Sequence, residues 1–145
     1  MSDNEVALLR EHSPGMTDEC VEKARFGGFA AISSLAVDQC FEMDTAQTYR
    51  GLWRDDFEGS RFCPSPQTEC TQETSGEAIW LTFSPELEGR ENVARGMSGN
   101  LYAIEFIGRM TAHRGHYGHM GMFNREAVVD EITSIRPLTP GQKSR

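Results

Sequence analysis

Leu101-Tyr102-Ala103-Ile104-Glu105-Phe106-Ile107-Gly108-Arg109-Met110-Thr111 is the stretch that decides the fold. Tyr102, Ile104 and Phe106 fall on one side of an extended chain, and Ala103, Glu105, Ile107 and Arg109 on the other, which is the two-residue period of a strand. Apolar side chains on both sides predict a central place in a curved sheet, with Gly108 marking a bulge or bend. Three His-x-Gly triplets follow: His113-Arg114-Gly115, His116-Tyr117-Gly118 and His119-Met120-Gly121. A second β-like run over Val128–Ile135 alternates with a bulge that changes its face, and Pro137 and Pro140 end it. The triplets therefore read as a surface connection between the two best strands.

Working towards the N-terminus, Ala78–Phe83 is a short strand bounded by Gly76 and by Ser84-Pro85. Tyr49, Gly51, Trp53 and Phe57, with Phe62 beyond, predict two strands sharing a bend at Asp55-Asp56 or Glu58-Gly59. Between these strands and the next, Pro85–Asn100 is a polar connection. Phe29–Phe41 fits neither period cleanly and is read as a strand in its second half. A short helix is predicted after Thr17, an N-cap, with Asp18 and Glu19 in its first turn, Lys23 and Arg25 near its end, and Gly27-Gly28 as its stop. The expected organisation is a flexible arm over 1–15, one β-rich domain over 16–138 and a disordered tail over 139–145. The predicted class is mainly β, a small single-domain barrel or sandwich with one short N-terminal helix. An open Greek-key barrel of the OB type suits the strand count.

A formal charge of −8, from 22 acidic and 14 basic residues, favours cations or basic surfaces over phosphate backbones. The charge disfavours nucleic acid as a partner and favours a basic protein. No apolar run approaches the roughly 18 residues of a membrane-spanning helix. The uncharged run Phe26–Val37 faintly resembles the apolar part of an export signal, but a long acid-rich segment precedes it. The expected location is the cytoplasm as numbered, or the bacterial envelope if an export signal has been removed. Cys63 and Cys70 bracket a polar loop with two prolines, where a crosslink would replace missing core; two reduced cysteines at strand ends are the alternative. No Cys-x-x-Cys supports a zinc ribbon or a thioredoxin-type motif.

Neutral imidazoles are good ligands for zinc, copper or nickel, so His113, His116 and His119 are candidate ligands for a divalent metal, with Asp130 or Glu131 as an oxygen donor. The plainer alternative is that the glycines supply turning backbone while the histidines make ordinary hydrogen bonds. Asp55, Asp56 and Glu58 are read as a solvated bend rather than as paired catalytic carboxylates. Nucleophile-elbow, phosphate-loop and dinucleotide motifs are absent from the sequence. Trp53, Trp80, Tyr102 and Tyr117 are candidate ligand-binding aromatics, with burial in the core as the alternative.

Tyr49-Arg50-Gly51-Leu52-Trp53 leading to Phe57-Glu58-Gly59-Ser60-Arg61-Phe62, and Arg114–Gly121 followed by Val128-Val129-Asp130, resemble a pattern in small uncharacterised bacterial β proteins, some of them lipoprotein-like. The resemblance implies a bacterial, envelope-type β-barrel and carries no activity. The expected function is a non-catalytic binding or interaction module, such as an inhibitor or immunity-type protein neutralising a basic partner. The alternative is a metal-binding protein or metalloenzyme built on the three histidines.

Overall fold

Five strands close into a barrel in the computed structural model, which describes residues 1–56, 59–87 and 100–138. They are β1 (Gln47–Asp56), β2 (Gly59–Pro64), β3 (Ile79–Phe83), β4 (Asn100–Met110) and β5 (Arg125–Pro137), ordered β1-β2-β3-β5-β4 around the barrel. The central place expected for β4 is realised: it pairs antiparallel with β1 from Gln47↔Gly108 to Asp55↔Asn100 and with β5 from Tyr102↔Pro137 to Met110↔Ala127. A parallel pair, β3 with β5 from Ile79↔Arg125 to Phe83↔Val129, makes the last seam.

Alternation builds the interior. Trp53, Phe62, Ile79, Leu81, Phe83, Tyr102, Ile104, Phe106, Ala127 and Val129 pack into one apolar cluster. The register of β5 against β4 shifts twice, skipping Asp130 and Thr133, so Ile132 and Ile135 also reach the core. Gly108 sits at one of these shifts, where a Cβ would strike the Val128 carbonyl and the Phe106 ring. Inside the barrel the Ser60 hydroxyl accepts from Trp53 Nε1 at 2.9 Å and donates to the Leu81 carbonyl at 2.6 Å.

A second apolar cluster holds a helical cap outside the barrel. Helix α1 (Asp3–His12) begins with Ser2 accepting from the Glu5 amide and the Glu5 side chain accepting from the Ser2 amide. It buries Val6 and Leu9, which corrects the expectation of an arm over 1–15. The predicted helix is α2 (Asp18–Gly27), capped by Thr17 and buried through Cys20, Val21 and Ala24. The Phe29–Phe41 segment opens with a 3-10 turn (Phe29–Ala31), and its second half, read as a strand, forms instead the short helix α3 (Val37–Cys40). Local capping wins there: the Gln39 side chain accepts from the Ala36 amide at 2.8 Å, and Cys40 is bonded to Cys20. Leu9, Cys20, Ala24, Ile32 and Cys40 form the cap's own core.

A third cluster, Leu52, Cys63, Cys70 and Leu138, lies on another outer face. There Cys63 and Cys70 form the expected disulfide, with Cα atoms 5.7 Å apart. Buried Arg61 holds the same loop by donating to the carbonyls of Gln72, Thr74 and Glu77. Asp55 is buried rather than part of a solvated bend. Phe57, Glu58, most of the 85–100 connection and the 139–145 tail lie outside the described residues.

Candidate functional site

The outer face of the parallel β3–β5 seam forms the floor of a groove. Because Ile79, Leu81 and Phe83 point inward, Trp80 and Thr82 point outward, and Glu126 and Val128 stand beside them on β5. The helical cap forms one wall, through Phe29, Ile32, Leu35 and Phe41. The β4–β5 connection forms the other, through His116, Tyr117 and Met120. Together they enclose about 850 Å³, within the range of small-molecule sites.

The connection is shaped by its glycines. Gly118 has φ 68°, a conformation costly for other residues, and a Cβ there would lie 2.7 Å from the Trp80 ring. The turn brings Tyr117 back to bridge with Phe123 and buries its ring edge-on against Phe41, with centroids 5.1 Å apart. The Tyr117 hydroxyl donates to the His113 carbonyl at 3.1 Å, and burial pushes its pKa up. The cap and the connection meet at the mouth of the groove, where the His12 and His116 rings stack 4.1 Å apart and 2° from parallel.

Two carboxyl groups belong to the groove, with unlike surroundings. Asp38 accepts from Arg109 at 3.0 Å, and the same guanidinium makes two bonds of 2.8 and 2.9 Å to Asp130. Those bonds, to Asp130 first, hold Arg109 in its charged form. Glu126 is fixed through its backbone: its amide donates to the Thr111 hydroxyl at 3.1 Å, and its carbonyl accepts the Thr111 amide at 2.9 Å. Its carboxyl group has no hydrogen-bond or ion-pair partner among the described residues. Burial, with a smaller contribution from the Asp38 charge, pushes its pKa up to about 7.

The structure divides the residues expected to bind. Trp80 and Tyr117 line the groove. Trp53 and Tyr102 do not; they are opposed across β1 and β4 and stack inside the barrel with centroids 5.0 Å apart, which corrects their reading as ligand-facing aromatics. His113 pairs with Glu42 at 3.1 Å, His116 stacks on His12, and His119 opens a 3-10 turn. Among the described residues, no group of three or more His, Cys, Asp or Glu side chains gathers where it could hold a metal ion. Asp130, proposed as an oxygen ligand, is bonded to Arg109.

Sequence reasoning missed His12, Asp38 and Glu126. Two sat in segments read as an arm and a strand; Glu126 gave one faint signal, a charge at the start of an otherwise apolar half-strand. Comparison with family models, with curated proteins and with solved structures finds no match to this chain.

Proposed function

We propose that this protein is a non-catalytic binding module that takes its ligand in the groove between the helical cap and the β3–β5 seam. The observation that carries this reading is a pre-formed, largely apolar cavity with one uncompensated carboxyl group on its floor. Phe29 and Met120, 63 % and 82 % exposed, stand on its opposite walls and give a partner apolar surface to cover. The charge of −8 favours a basic or cationic partner, in keeping with an inhibitor or immunity-type role.

An OB-type reading of the barrel is supported by the β1-β2-β3-β5-β4 order and the parallel β3–β5 seam. In such folds the β4–β5 loop commonly contributes to ligand binding, and here it forms one wall of the groove. Two disulfides, Cys20–Cys40 and Cys63–Cys70, favour maturation in an oxidising compartment such as the bacterial envelope.

Thr82→Trp, which fills the groove from its floor, provides the test. In a fragment screen by NMR, chemical-shift changes should cluster on Trp80, Tyr117 and Val128 and vanish in the filled variant. Clustering elsewhere, or survival of binding in that variant, would remove the groove as the binding site.

A further inference from the structure

An apolar groove that holds a half-buried carboxyl group without a partner on its floor discriminates by charge. An anion placed there meets Glu126 and Asp38 together, and a neutral apolar molecule desolvates Glu126 further without compensating it. A cation supplies the missing partner. Arg109 does not fill this role, because its guanidinium is engaged by Asp130 and Asp38. The groove is also aromatic: Trp80 stands beside Glu126 in the strand register, and Phe29, Phe41 and Tyr117 line the walls. Aromatic faces attract organic cations and also cover their apolar bodies.

We propose that the groove is a receptor for a small organic cation, an ammonium group on an apolar body, which packs among these aromatics and sets its charge on Glu126. This inference rests on the groove being the binding site. It adds the ligand's chemical class and a dependence on pH. Glu126 takes up a proton near neutrality in the empty groove, so cation binding releases that proton and weakens as the medium becomes acidic. The charged and titratable groups around it are His12 and Asp38 from the cap, His116 and Tyr117 from the connection, Arg109 from β4, and Arg125 and Asp130 from its own strand.

Calorimetric titration with three probes of similar shape tests this: 2-phenylethylammonium, neutral 2-phenylethanol and anionic 3-phenylpropanoate, each at pH 8 and pH 5.5. At pH 8 the ammonium probe should bind at least about tenfold tighter than the alcohol, with the anion weakest, and should lose about tenfold at pH 5.5. Glu126→Gln should erase both the preference and the pH dependence. The wild-type ranking stands independently of how that variant folds. If the alcohol binds as well as the ammonium probe and perturbs the groove, the cation inference fails while the binding site stands. If no probe perturbs the groove, both fail. A pH dependence that survives in Glu126→Gln would overturn the role of Glu126. Nα-acetyl-lysine N-methylamide, whose side-chain ammonium sits on a bare methylene stem, should bind more weakly than the ammonium probe; equal binding would overturn the requirement for an apolar body.

Discussion

Arg109 on β4 and Asp38 in α3 lie 3.0 Å apart, and this ion pair ties the helical cap to the barrel wall while Asp130 holds the guanidinium from below. All three side chains are about 70 % buried, so their attraction is less screened than that of a surface pair. Arg109→Met should cost roughly 2–3 kcal/mol, because it leaves Asp38 and Asp130 uncompensated near Glu126. Urea unfolding would give the loss, and hydrogen exchange should show lower protection in α2 and α3 than in β1 and β4. Arg109→Lys should restore little, since an ammonium cannot reproduce the paired bonds to Asp130.

Glu126 should make stability fall as pH rises. Its folded pKa of about 7 stands above its ordinary value near 4.5, so below that value it is protonated in both states and costs nothing. The cost grows between the two values and is complete above about pH 7. Glu126→Gln should therefore leave stability unchanged at pH 4 and raise it by roughly 2–3 kcal/mol at pH 8. Paired urea titrations at the two pH values would check this; equal effects at both would contradict the partly desolvated, unpaired carboxyl.

Intact mass before and after reduction should show no free thiol in the oxidised protein and four after reduction. The Cys20–Cys40 link closes a segment of 20 residues and the Cys63–Cys70 link one of 7. Opening them by Cys→Ser pairs should cost about 3 and about 2 kcal/mol respectively. Loss of the first should also weaken ligand binding, because it holds one wall of the groove.

Gly118→Ala should destabilise the fold by about 1 kcal/mol from backbone conformation alone, and more from the Cβ pressed on Trp80. Gly115→Ala should be milder, since its nearest neighbour is the Tyr117 ring edge at 3.3 Å. Melting temperature and the near-ultraviolet circular dichroism of the tryptophans would separate the two variants.

What was legible in the sequence follows from what is periodic. The strand Leu101–Thr111, the bulged run after Val128 and the helix behind Thr17 each carry a repeating pattern or a cap, and each forms where expected. Phe29–Phe41 was misread because short capped turns have no period to detect. Trp53 and Trp80 both lie on strands and both look like ligand aromatics in one dimension; only the register of β1 against β4 and the closure of β3 on β5 put the first inside and the second outside. The groove itself was invisible for a related reason: its walls come from three distant segments, and Glu126 becomes unusual only once the cap covers it.

Closure of β1 against β4 and of β3 against β5 also governs how the chain behaves while it is being made. A nascent polypeptide that has emerged as far as Phe83 can form the β1–β2 hairpin and pair β3 with β2, but Gly108, the β4 partner of Gln47, and Arg125, the β5 partner of Ile79, have not yet been synthesised. Trp53 and Phe62 then remain open to solvent and to holdase chaperones until the final strand arrives. Such long-range pairing places the barrel among slower-folding topologies, whereas the locally capped α1 and α2 can form early. A pause in translation before Arg125 would expose an apolar half-barrel, and release of the chain through Pro137 would allow it to shut.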